Sequence, residues 1–248
     1  RLTMQKIAAG NWKMNGISTS LSEISLLAQR HSTSDVEILI CPPVTLLGNA
    51  CSLPGSVAIG AQNCHISRSG AYTGEISAQM IAELGAKYVI IGHSERRSNN
   101  GETDYIVQKK MMSAQQEGLT PIVCIGETLK QRQNSQTLSA IKTQLDGSLS
   151  SEAAKSPIVI AYEPVWAIGT GHVPSMSEIA QVHEFCRKQL KRRFGDLAVN
   201  IPLLYGGSVK GSNAAEIFAL QNVNGALVGG ASLKAEDFSQ IILALEDA

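Results

Sequence analysis

The 248-residue chain suits one closed α/β barrel of about 250 residues or two small domains, and its 44% hydrophobic and 17% charged content excludes a disordered polymer. Lysine and arginine number 21 and so do aspartate and glutamate, so no bulk field draws the chain to nucleic acid or an anionic membrane. Any anionic ligand must therefore be held by local groups.

The five cysteines (Cys41, Cys51, Cys64, Cys124 and Cys186) are odd in number, scattered and never paired as Cys-x-x-Cys, which argues against a disulfide framework and a zinc site. They read as reduced thiols. The segment from Arg1 to Lys6 is polar and no apolar run reaches membrane length, so a cytoplasmic protein is expected.

In chain order, the first apolar run, Ile7 to Ala9, leads into Gly10, Asn11, Trp12 and Lys13 rather than a glycine-rich dinucleotide turn. A helix follows on Leu21, Ile24 and Ala28, with Ser20-x-x-Glu23 read as its capping box. Runs at Val36 to Ile40 and Val57 to Ile59 come next, the second followed by Gln62 and Asn63 and then by a long connection from Cys64 to Ser77. Tyr88 to Ile91 precedes His93 and Glu95, and Ile122 to Ile125 precedes Gly126 and Glu127. Ile158 to Tyr162 precedes Glu163 and the stretch Pro164 to Val173, which is long for a strand-to-helix turn. A helix on Ile179, Val182, Cys186 and Leu190 opens with a second box, Ser175-x-x-Glu178. Ile201 to Leu204 is followed by Gly206, Gly207 and Ser208, and Ala226 to Val228 by Gly229 and Gly230. Phe238, Ile241, Ile242 and Leu245 mark the face of a final helix, expected to pack outside the last strand.

The apolar runs are continuous rather than alternating, as buried parallel strands are, and helical patterns separate them. Eight such units without a linker predict one domain over residues 1–248, a closed barrel of eight parallel strands each followed by a helix, with an open doubly wound sheet as the alternative. In such a barrel the residues after each strand converge on one rim. One lysine, one histidine and one glutamate on that rim suit proton abstraction beside a carbonyl, and nothing resembles an activated serine or cysteine. The two glycine pairs suit a phosphate held by backbone N–H groups. Taken singly, Lys13 would be a solvated lysine, His93 a structural histidine, Glu163 half of an ion pair and Cys124 a small buried hydrophobe. His31, His65, His172 and His183 have no spacing that would share a metal, and no metal or cofactor is expected.

Five segments carry a resemblance: GNWKMNG from Gly10, GHSERR from Gly92, YEPVWAIGTG from Tyr162, YGGSV from Tyr205 and LVGGASL from Leu227. In order and spacing they resemble the triosephosphate isomerase family, which implies a TIM barrel that interconverts dihydroxyacetone phosphate and glyceraldehyde 3-phosphate in glycolysis and gluconeogenesis. The resemblance implies Glu163 as base, His93 as neutral electrophile, Asn11 and Lys13 as substrate-holding groups, and Glu95 near the lysine. It implies phosphate binding at Gly169, Ser208, Gly229 and Gly230, and Pro164 to Val173 as a closing lid. It also implies a homodimer in which the loop carrying Thr73 and Glu75 meets Arg96 and the lysine region of its partner. The chain departs from the family at His172, where lysine is usual, at Asn99-Asn100-Gly101, and at Asn222 and Asn224, where acidic residues are common. A weakened pairing with an arginine such as Arg187 follows from the last. A phosphosugar epimerase or lyase, or a noncatalytic barrel, is the competing reading.

Overall fold

The computed structural model describes residues 4–168, 170 and 172–248. Eight strands form: β1 (Ile7–Asn11), β2 (Glu37–Cys41), β3 (Ala58–Ala61), β4 (Tyr88–Ile91), β5 (Thr120–Ile125), β6 (Val159–Tyr162), β7 (Leu203–Tyr205) and β8 (Gly225–Val228). They pair in parallel, in sequence order, into a closed barrel. Every strand residue is buried except the half-buried leading residues Glu37 and Thr120. Burial on both faces is the reason the runs are continuous.

Alternate residues along each strand point inward and outward. Ile7, Leu39, Ile90, Ile122, Val159 and Leu204 fill the barrel interior. Ala8, Ile38, Val89, Val123, Ile160 and Leu203 face the helices, whose apolar stripes complete a second and larger core.

The barrel closes where β8 lies against β1, in register from Ile7↔Gly225 to Gly10↔Val228. Gly225 has φ 145°, and a Cβ there would stand 1.8 Å from the Ile7 carbonyl oxygen, so this position requires glycine. Above the seam Trp12 Nε1 donates to Ser232 O at 3.1 Å.

The box at Ser175 forms as expected: Ser175 N–H donates to Glu178 Oε2 at 2.8 Å and Glu178 N–H to Ser175 Oγ at 3.2 Å. The box at Ser20 does not. Ser20 Oγ accepts the Ile17 N–H at 3.0 Å, and Glu23 reaches across to the Ala235 N–H at 2.7 Å, capping the distant helix Ala235–Glu246 instead of its own. That final helix buries Phe238, Ile241, Ile242 and Leu245. It packs on β1, beside the helix Leu21–Arg30. Among the described residues no helix is long and apolar enough to cross a membrane.

Candidate active site

The turn after β1 is held from two sides. Asn11, nearly buried, accepts the Lys13 N–H on Oδ1 at 2.9 Å, while Gln62 Nε2 donates to Lys13 O and to Cys41 O, each at 2.9 Å. Lys13 itself has φ 54°, the left-handed region that a side chain disfavours. These bonds hold it there and aim the side chain past Gly229, where an added Cβ would lie 3.6 Å from Lys13 Cε. Lys13 Nζ ends 2.7 Å from Glu95 Oε1.

His93 caps the short helix Ser94–Asn99, its Nδ1 accepting the Glu95 N–H at 3.2 Å. A ring nitrogen that accepts carries no proton, so the proton sits on Nε2, which lies 2.8 Å from Glu163 Oε2. Glu163 Oε1 accepts the Ser94 N–H at 3.2 Å. Burial alone would raise the Glu163 carboxyl, but the His93 ring, the Ser94 N–H and the Cys124 thiol outweigh it and keep the group below the ordinary carboxylate range. Burial likewise works against charge on His93, while Glu163 and then Glu95 raise its pKa above that of a free imidazole. That rise belongs to Glu163 lying against the ring. The Glu95 N–H aimed at Nδ1 opposes a second proton whatever Glu163 does.

A cavity of about 240 Å³ gathers Asn11, Lys13, His93, Glu163, Ser208, Gly229 and Gly230 on its wall. Gly230 opens a one-turn helix, Gly230–Ser232, whose leading N–H groups lack partners within the turn. Its own turn and chain neighbours aside, no atom of the described residues stands within 4 Å of a Cβ built on Gly230. Ser208 Oγ donates to Ala167 O at 3.3 Å, joining the β7 loop to the segment after Glu163. Gly169, the other expected phosphate contact, lies outside the described residues.

Glu95, Glu75 and Arg96 line a neighbouring groove of about 580 Å³ that also reaches Asn11 and Lys13. Arg96 pairs within its own chain, Nε to Glu102 Oε1 at 2.6 Å. Thr73 is exposed in the loop between Cys64 and Ser77 and lines neither space. Met14, at the groove, is 96% exposed.

Beneath the segment from Pro164 to Val173, Glu127 is fully buried and accepts both the Tyr162 hydroxyl and Trp166 Nε1 at 3.0 Å. Arg132 stacks on the Trp166 ring at 5.4 Å, so this tryptophan anchors the start of the segment. His172, exposed, donates its N–H to Thr170 Oγ1 at 3.2 Å. Two features escape a reading of motifs. Cys124 is a small buried residue of β5, as expected, but it also immediately precedes Ile125, whose carbonyl holds the Glu163 N–H at 2.7 Å. Arg97, inside the GHSERR segment, makes an array of bonds that its motif does not announce.

A family model described as triosephosphate isomerase matches residues 6–245. The chain belongs to the triosephosphate isomerase family. The triosephosphate isomerase of Ruegeria sp. (strain TM1040) is 55% identical over 97% of this chain and 98% of that protein. That of Ruegeria pomeroyi is 56% identical over 98% of each. Among solved structures, the crystal structure of triosephosphate isomerase from Bartonella henselae superposes with a TM-score of 0.92 at 46% identity, covering 99% of this chain and 100% of that one. The likeness to triosephosphate isomerases thus runs through the whole barrel.

Proposed function

We propose that this chain, as a single domain, interconverts dihydroxyacetone phosphate and D-glyceraldehyde 3-phosphate, with Glu163 as the base that moves the proton between the two carbons. The observation that carries the reading is the buried contact of Glu163 with Nε2 of His93, at 2.8 Å, on the wall of a cavity that also holds Lys13 and two consecutive glycines. A carboxylate is a weak base for a carbon acid, so the reaction needs strong stabilisation of the enediolate oxygens. The Nε2 proton of His93, the Asn11 amide and the Lys13 cation supply it. Glu163 leaves the Ser94 N–H, takes the proton from one carbon and returns it to the neighbour; His93, an uncharged donor in the substrate complex, gives its Nε2 proton to the former carbonyl oxygen and recovers one from the neighbouring hydroxyl, so the O–H proton changes oxygens and the ring ends neutral. Ser208, Gly229 and Gly230, with Gly169, hold the phosphate. Glu95 orders Lys13 through their ion pair.

The setting is the cytosol, for which the five free thiols speak. The working form is a homodimer. Exposed Met14, Ile17, Val44, Tyr72 and Met80 support that reading, as does the groove beside Lys13, shaped to take a partner's loop.

A coupled assay that interconverts the two triose phosphates, run on the wild type and on Glu163→Gln, tests the proposal. General-base catalysis contributes about 10²–10⁴-fold, so the variant loses at least that much turnover while still binding phosphoglycolate. Wild-type turnover in Glu163→Gln would remove the base assignment.

A further inference from the structure

We propose that Arg97 is a positioning residue for the proton transfer, a guanidinium fork that sets the spacing of His93 and Glu163 by cross-linking the ends of β4 and β5. The proposal rests on the reading of those two residues as electrophile and base. The backbone ladder between the two strands runs from Tyr88↔Thr120 to Ile91↔Val123 and stops. The next residues in register are Gly92 and Cys124. Gly92 turns away with φ 66° to start the helix that His93 caps, and no larger residue fits, since a Cβ there would meet Val107 Cγ2 at 2.7 Å.

Arg97 supplies the rungs that the backbone drops. Its Nε donates to Gly92 O at 2.9 Å and its Nη2 to Cys124 O at 3.0 Å. The fork is held in turn by Asp104 and Ser148. Nη1 donates to Asp104 Oδ1 at 2.6 Å, Nη2 to Ser148 Oγ at 3.1 Å, and Ser148 Oγ to Asp104 Oδ1 at 3.2 Å.

Both carbonyls lead directly to the chemistry. Gly92 immediately precedes His93, and Cys124 immediately precedes Ile125, whose carbonyl accepts the Glu163 N–H at 2.7 Å. A shift of either strand end therefore moves one partner of the proton transfer relative to the other. Only a planar fork can span two carbonyls, a carboxylate and a hydroxyl together; lysine, a single ammonium on a flexible stem, cannot. Arg97 is absent from the wall of the 240 Å³ cavity, so it acts on geometry and not on substrate binding.

The experiment compares Arg97→Lys, Asp104→Asn and Glu163→Gln with the wild type for kcat, KM, inhibition by phosphoglycolate, the pH profile of kcat/KM and thermal unfolding. Because a misplacement of about 1 Å costs roughly 10²-fold in rate, Arg97→Lys should lose about 10- to 100-fold in kcat, with KM and phosphoglycolate inhibition within about three-fold. The acid limb of kcat/KM should move to higher pH, as Glu163 loses contacts that keep it ionised. Asp104→Asn, which loosens the fork without removing it, should show a smaller loss in the same direction, and it decides the matter if Arg97→Lys does not fold. A folded Arg97→Lys with kcat within two-fold of wild type overturns the proposal. So does a loss of kcat matched by an equal rise in KM with the acid limb unmoved, which would mark Arg97 as merely structural. An inactive Glu163→Gln beside a normal Arg97→Lys sinks only the role of Arg97, whereas an active Glu163→Gln removes the base assignment and this proposal with it.

Discussion

Asn224 Oδ1 stands 3.2 Å from Nη2 of the buried Arg187 and also accepts the Leu203 N–H at 2.9 Å. The guanidinium otherwise bonds the Ala198 carbonyl, at 2.6 Å, so its acceptors here are a neutral amide and a backbone oxygen. Burial lowers the Arg187 pKa accordingly. Replacing Asn224 with aspartate keeps both hydrogen bonds and adds the missing countercharge. Pairing the guanidinium with a carboxylate in place of a neutral amide shortens and strengthens the bond, so Asn224→Asp should raise the melting temperature at pH 7. The new carboxyl, depressed by Arg187, would lose its contribution as the pH falls through its folded pKa. Calorimetry of the two proteins at pH 7 checks this; an equal or lower melting temperature for the variant contradicts it.

His183 is buried, donates its Nδ1–H to Asn222 O at 2.8 Å, and has no partner on Nε2 among the described residues. Burial drives its pKa down from 6.5 to about 4. The folded protein thus holds the ring neutral where the unfolded chain protonates it. Stability is full above pH 6.5 and falls as the pH drops from there towards 4, by about 3 kcal/mol in all. Urea unfolding at pH 7 and pH 5 should show the loss in the wild type and a smaller one in His183→Gln. Identical pH slopes would mean that other groups carry the acid sensitivity.

Gly229→Ala separates binding from folding. Among the described residues the added methyl meets only the Lys13 side chain, 3.6 Å from Cε, which is ordinary contact, so the melting temperature should hold. The methyl nonetheless occupies space beside the proposed phosphate site, where KM and phosphoglycolate inhibition should weaken by about tenfold or more, a cost of roughly 1.4 kcal/mol. A variant that binds the inhibitor as the wild type does would place the phosphate elsewhere.

Shortening the segment from Arg68 to Thr73 tests the dimer. The loop is braced within its own chain by stacking of His65 on Tyr72, 4.1 Å between ring centres, and by Arg68 Nε against Glu117 Oε1 at 2.9 Å. It is therefore held in shape within its own chain, and docking into the proposed partner would cost little ordering entropy. Light scattering should report a monomer for the shortened chain, with turnover down by about 10²-fold because Lys13 would lose the neighbour that the proposed dimer gives it. A shortened chain that remains dimeric, or a monomer with full turnover, would show the loop to be idle.

The strands were legible because burial on both faces leaves continuous apolar runs, and strand ends moved by only a residue or two, as at Val36, which precedes β2, and Asn11, which completes β1. Asn11, Lys13, His93 and Glu163 were legible as a group because a parallel barrel sends every strand end to the same rim, whatever their distance in sequence. Long-range polar partners were not. Glu23 fits a local capping pattern, yet the free N–H of Ala235 outcompetes its own helix, and nothing near Ser20 could reveal that. Cys124 and Arg97 bear on the site through the β4 and β5 register, which exists only once the barrel is closed.

The seam of β8 on β1 also dictates when the protein can exist during synthesis. Lys13 enters the cavity from the first strand and Gly229 from the last, and their approach requires nearly the entire chain to have emerged. Until Gly225 to Val228 leaves the ribosome, β1 presents an open, apolar edge from Ile7 to Asn11 with no neighbour on one side. Such an edge invites pairing with other chains, and closing it is among the longest-range contacts the fold makes. The nascent chain thus stays exposed to aggregation until β8 emerges, and its dependence on chaperones should be concentrated before that point.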